Sequence, residues 1–149
     1  MLETDIKHER FNHTAWALIG KEADPHDPRN ILLIGQAGLC KSRMLALLCK
    51  RAALRGMSIA WITAHDFALL ADRYKNYKTR AQAQDELSRL KYIERLVFDD
   101  LGKQEWTPAI EEIFFYLVDH RHSHNKPIWF SANTHPQHML LDVRLSRDR

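Results

Sequence analysis

Short apolar runs rich in β-branched residues alternate along the chain with longer stretches whose apolar residues recur at helical spacing. That alternation predicts a parallel sheet wrapped by helices. Four runs read as strands: 30–34 (NILLI), 58–63 (SIAWIT), 95–98 (RLVF) running into Asp99, and 127–132 (PIWFSA). They are almost continuously apolar, so burial on both faces is expected. Between the first two, 42–55 sets Met44, Leu45, Leu47, Leu48 and Ala52 on one broad face and stops at Gly56, a suitable C-cap. Thr107-Pro108 opens another helix with a cap residue and a proline in the first turn, followed by Ile110, Ile113, Phe114 and Leu117 at helical spacing. A further helix is expected from about Asp66 toward Tyr74, and another over 82–92 with Leu87 and Leu90 facing inward. The link between those two is left unassigned. Upstream, 14–19 (TAWALI) reads as a short helix and 23–30 (ADPHDPRN) as a turn-rich connector. The expected division is a helical lead-in and connector over 1–29 and a core over 30–149.

Composition narrows the class. The 149 residues carry 22 Lys+Arg against 19 Asp+Glu, a net charge of +3, with five glycines and five prolines. This excludes a disordered tail or a polycationic coat and suits one globular domain with a real core. Two cysteines exclude a disulfide scaffold or a zinc ribbon. No apolar run approaches the roughly 18 residues of a membrane span, and MLETDIKHER has no export signature. A cytoplasmic protein without a membrane partner is expected. Charge is uneven, however: residues 41–95 hold 12 basic and 5 acidic residues, net +7, so this middle third could meet an anion.

The first strand ends in Gly35-Gln-Ala-Gly38-Leu-Cys40-Lys41-Ser42, and a helix follows at once. That is the setting of a phosphate-binding loop. Backbone N–H groups and a helix N-terminus converge on the phosphates, the lysine reaches the terminal ones, and the hydroxyl ligates magnesium. Lys41 and Ser42 fill the last two roles. The strict pattern requires glycine where this chain has Cys40. A Cβ there is expected to cost about 1–2 kcal/mol if φ is positive, weakening phosphate binding about tenfold.

The acidic counterpart comes 57 residues after Ser42, where an apolar strand runs into Asp99 and Asp100. In phosphoryl transfer the first acid holds hydrated magnesium and the second polarises the attacking water. Asn133, at the end of the last strand, is placed to orient that water. Separately, Arg73, Tyr74, Lys75, Tyr77, Lys78 and Arg80 interleave basic and aromatic side chains inside the basic third. Stacking and phosphate pairing from such a segment suit sequence-tolerant single-strand binding.

In this order the three segments resemble the DnaC-like and IstB-like helicase-loader ATPases of the AAA+ superfamily. NILLIGQAGLCKS is similar to their Walker A strand and loop, RLVFDDLGK to their Walker B segment, and PIWFSANTH to their sensor 1 strand. The run Asp99-Asp100-Leu-Gly102-Lys103 looks like the form this branch carries. The resemblance implies a three-layer α/β P-loop core with four or more mainly parallel strands, the Walker A strand lying beside the sensor 1 strand. It implies ATP and Mg2+ as cofactors and a switch that oligomerises on single-stranded DNA and serves a replicative helicase or a transposase. It also leads one to expect a trans-acting arginine finger, for which Arg147 is the choice among Arg144, Arg147 and Arg149. The chain departs from the family at Cys40, and it ends at Arg149, ahead of the fifth strand and the lid, so the lid is expected to be absent. These departures leave hydrolysis open. They also leave two alternatives: a nucleotide-independent DNA or protein adaptor with a decayed loop, and another P-loop phosphotransferase.

Overall fold

The computed structural model describes residues 12–19, 29–102 and 105–133. Its elements follow the chain as α1 (His13–Ile19), β1 (Ile31–Ile34), α2 (Lys41–Leu54), β2 (Ile59–Thr63), α3 (Ala64–Lys75), α4 (Arg80–Tyr92), β3 (Arg95–Leu101), α5 (Pro108–Ser123) and β4 (Ile128–Ala132). All strand pairs are parallel and the sheet order is β1-β4-β3-β2. The first and last strands are thus neighbours, and their C-terminal ends meet: Ile34 pairs with Ala132, and the Gly35 N–H donates to the Ala132 carbonyl at 3.2 Å.

Side-chain alternation divides the core between the two sheet faces. Val97 and Trp129 turn toward α2, where they meet Leu45, Leu48 and Ala52. Leu96, Phe98 and Ile128 turn the other way, onto Phe67, Leu70, Leu87, Ile110 and Leu117 of α3, α4 and α5. Helix, sheet and helix make the three layers expected from the sequence. Burial on both faces holds for the central strands β3 and β4 but not at the edges. Leu32 and Ile34 are exposed because the cluster beneath α3–α5 takes residues from β2, β3 and β4 and none from β1, and Trp61 of the edge strand β2 is exposed as well.

Local chemistry explains the boundaries. The Thr63 hydroxyl accepts the Asp66 N–H at 3.1 Å and donates to the Asp66 carboxylate at 2.7 Å, so α3 starts straight off β2 and earlier than the apolar periodicity suggested. The α3–α4 link is a tight turn closed by the Thr79 hydroxyl donating to the Arg73 carbonyl at 2.8 Å. The Thr107 hydroxyl caps α5 by accepting the Ile110 N–H, and Pro108 occupies the first turn.

One fully buried residue had no signature in the sequence. Arg121, on α5, donates to the carbonyls of Leu90 (2.6 Å), Ile93 (2.9 Å) and Pro127 (2.8 Å), tying the end of α4 to the start of β4. Burial, and secondarily Arg95, push its pKa down to about 10, so it is charged at neutral pH and suits the negative end of α4. His120, in the last turn of the same helix, stacks at 4.2 Å on His124, the residue that follows that helix. Among the described residues no helix is long and apolar enough to cross a membrane.

Candidate functional site

The site lies where β1, β3 and β4 end and α2 begins. The turn from β1 to α2 holds Gly38 at φ 84° and Cys40 at φ 60°, ψ 24°. Glycine tolerates such angles, whereas an L-residue with a Cβ is strained there. The Cys40 side chain packs beside Met44 and Leu47 of α2, in an apolar group that includes Trp16 of α1. Helix α2 has no side-chain cap, in contrast to α3 and α5.

Two long-range contacts close the site. Lys41 Nζ donates to Asn133 Oδ1 at 2.9 Å across 92 residues, as well as to the carbonyls of Gly35 (2.7 Å) and Gln36 (2.9 Å). Ser42 Oγ donates to Asp99 Oδ1 at 3.0 Å across 57 residues. Adjacent strands bring these groups together, since Asp99 lies in β3 beside β4 and Asn133 follows the last residue of β4. The loop, both aspartates and Asn133 therefore gather at one edge of the sheet.

Asp99 and Asp100 are not the plain strand end that the sequence suggested. Strand β3 continues to Leu101, and its register with β4 shifts between the pairs Phe98–Phe130 and Leu101–Ala132. Asp99 and Asp100 thus lie opposite the single residue Ser131, a β-bulge that re-aims the side chains and breaks strict alternation. Asp100 takes the left-handed conformation at φ 62°, which aspartate tolerates better than most residues. The Asp100 N–H donates to Ser131 Oγ at 2.9 Å and to Asp99 Oδ1 at 3.1 Å. Ser131 Oγ in turn donates to Asp99 Oδ1. Ser131 is fully buried, and the sequence offered one clue to it: a hydroxyl inside an otherwise apolar strand.

The donor set fits a magnesium ion bound together with phosphates. A hydroxyl and a carboxylate are hard oxygen ligands, and magnesium takes one or two from a protein alongside substrate phosphates. Asp99 Oδ1 is occupied by protein donors, whereas Oδ2 receives none among the described residues. Among the described residues there is also no group of three or more His, Cys, Asp or Glu side chains able to hold a metal by itself.

The six residues of the basic-aromatic segment span the end of α3, the turn and the start of α4. Arg73 pairs with Glu86 at 2.8 Å and Lys75 lies 3.6 Å from Asp72. The Arg80 guanidinium sits over the Tyr74 ring, which is half-buried against the core. Tyr77 is 81% exposed, and Lys78 is exposed beside it. Arg147, with Arg144, Arg149 and Lys103, lies outside the described residues.

This geometry agrees with the comparisons to known proteins. The chain is 28% identical over 119 residues to the replicative helicase loader DnaC of Escherichia coli (strain K12), an alignment covering 78% of this chain and 48% of that protein. It thus spans about half the length of the curated relatives it matches. In the crystal structure of the DnaC helicase loader, 79% of that chain matches 95% of this one at 20% identity and TM-score 0.71. The replication initiator DnaA bound to AMPPCP and single-stranded DNA matches over 92% of this chain and 42% of its own, at 21% identity and TM-score 0.76. At these identities the structures establish the fold alone, a parallel sheet between two layers of helices. The family of IstB-like ATP binding proteins matches residues 25–141, and the chain belongs to it.

Proposed function

We propose that the chain binds ATP with magnesium at the edge where β1, β3 and β4 end, and serves as the nucleotide-dependent switch of a helicase-loader-like protein. The observation that carries this reading is the double closure of the loop, Lys41 onto Asn133 and Ser42 onto Asp99. Lysine and hydroxyl of the loop are each held against a polar group from a different strand. The β- and γ-phosphates replace the neutral acceptors of Lys41, with Gly35, Gly38 and Cys40 lining the loop. Ser42 and Asp99 hold the cation, which when bound neutralises phosphate charge. Asp100 and Asn133 are assigned to the attacking water, Asp100 polarising it and Asn133 orienting it, and Arg147 to a finger reaching a neighbouring subunit of a homo-oligomer.

The setting is cytoplasmic, with residues 30–149 acting as the core and residues 1–29 as its lead-in. Single-stranded DNA is the second ligand, met by the 73–80 segment through Lys75, Tyr77 and Lys78, with Arg73, Tyr74 and Arg80 supporting the turn. The partner is a replicative helicase or a transposase. Support for this comes from the name of the DnaC relative and from the strand bound to DnaA. Equilibrium titration with a fluorescent ATP analogue and magnesium tests the nucleotide reading. Saturable binding that Lys41→Ala abolishes is expected, and no saturable binding by the unaltered chain refutes it.

A further inference from the structure

We infer that Ser131 is a positioning residue that aims Asp99 at the divalent cation, an inference that rests on the nucleotide-magnesium reading of the site. A buried hydroxyl is costly unless it is hydrogen-bonded. Strand β4 is central in the sheet and apolar at Ile128, Trp129, Phe130 and Ala132, yet it carries a hydroxyl at Ser131, which is wholly withdrawn from solvent. That hydroxyl has two partners, and both belong to the bulge. It donates to Asp99 Oδ1 and accepts the Asp100 N–H at 2.9 Å.

The register explains why a hydroxyl is needed at this point. Two residues of β3 face one of β4 here, so the ladder is interrupted and the Asp100 N–H is met by a side chain. The same oxygen then fixes the carboxylate one residue earlier. Asp99 Oδ1 accepts from two hydroxyls, Ser42 and Ser131. Ser42 belongs to the proposed ligand set and its hydroxyl must serve the cation. Ser131 takes no part in that set, so it is the fixed anchor that keeps Oδ1 turned inward and leaves Oδ2 for the ion. A hydroxyl serving only packing would also fill the strand, but it would not couple the rotation of the metal carboxylate to the left-handed turn at Asp100.

The test compares affinity for a fluorescent ADP analogue in magnesium with affinity in EDTA, so that hydrolysis plays no part. Wild type and Ser131→Ala are measured, with Ser131→Cys as a near-isosteric variant that keeps the shape and weakens the donor. Thermal melts accompany each titration. Ser131→Ala is expected to reduce the gain in affinity from magnesium about tenfold, the size of a lost hydrogen bond to a charged group, while affinity in EDTA stays within about twofold. Ser131→Cys should shift the same ratio in the same direction, and it decides the matter if the alanine variant does not fold. A magnesium ratio equal to wild type in the folded variants, with only a lower melting temperature, overturns the inference and leaves Ser131 structural. Wild-type protein that binds the nucleotide in neither buffer overturns the site reading itself, and this inference with it.

Discussion

Cys40 offers a measurement of where the missing glycine of the loop exerts its cost. The residue lies at φ 60°, ψ 24°, where a Cβ costs about 1–2 kcal/mol. The turn is tied into the fold, since the Met44 N–H donates to the Cys40 carbonyl at 2.9 Å and the side chain packs beside Met44 and Leu47. With the left-handed conformation tied into the fold in this way, its strain is expected to weigh on folding more than on phosphate affinity, and the two possibilities are separable by experiment. Comparing Cys40→Gly with Cys40→Ala isolates the effect, because both remove Sγ and its contacts and only the Cβ distinguishes them. At an ordinary position alanine is the more stable of the two by about 0.5–1 kcal/mol. Here the order should invert. Subtracting the extra chain entropy of glycine leaves Cys40→Gly more stable by about 1 kcal/mol, or about 2–4 °C in melting temperature for a domain of this size. Nucleotide affinity of the two variants should agree within about twofold, since relief of folding strain does not favour the bound state. An alanine variant that melts at or above the glycine variant refutes the left-handed assignment. A glycine variant that binds about tenfold more tightly at an equal melting temperature refutes the assignment of strain to folding.

Other consequences follow from single residues. Arg121→Met leaves the carbonyls of Leu90, Ile93 and Pro127 without their donors and should lower stability by about 2–4 kcal/mol in urea denaturation; a loss below about 1 kcal/mol would mean that water reaches those carbonyls. Burial pushes the Cys49 thiol up to about 12 from an ordinary value of 9.0. Above pH 9 the unfolded chain loses this proton first, so stability present below that pH should fall as pH rises toward 12, by up to about 1.4 kcal/mol per unit. Cys49→Ala should flatten that slope, and an unchanged slope would place the thiol in contact with water. Tyr77→Ala should weaken single-stranded DNA binding by about 1–3 kcal/mol in anisotropy titrations, the worth of one stacked base. The same change at Tyr92, also exposed and next to a lysine, should leave it unaltered; equal effects would reduce the segment to a generic basic surface.

The elements that could be read from the sequence were those whose signal is local. The period of Met44, Leu45, Leu47, Leu48 and Ala52 marks α2, and Thr107-Pro108 marks the start of α5, because caps and periodicity depend only on residues a few positions apart. The turn from β1 into α2 could be read for the same reason, since Gly35 to Ser42 is contiguous. Three features lay outside that reach. Exposure of Leu32, Ile34 and Trp61 depends on which strands the helices cover, a property of the sheet order. Arg121 reads as one more cation in a polar helix end, because its carbonyl partners come from another helix and another strand. The pairing of Lys41 with Asn133 depends on β1 and β4 being neighbours, an adjacency that the family resemblance implied and that no local pattern reveals.

The bulge at Asp99 and Asp100 is the instructive case, because its cause can be located. Nothing in RLVFDDL distinguishes a strand that stops at the first acid from one that kinks and continues, since aspartate is tolerated both at strand ends and in the left-handed conformation. The information lies 31 residues downstream of Asp100, in a serine that an apolar strand has no packing reason to contain. A buried hydroxyl requires partners, and a regular parallel ladder already satisfies its own backbone groups. A serine buried in a central strand therefore implies either a side-chain partner or an interruption of the neighbouring ladder, and Ser131 meets both conditions. The cost of burying that hydroxyl demands the irregularity that satisfies it, and the irregularity in turn sets the direction of the Asp99 carboxylate.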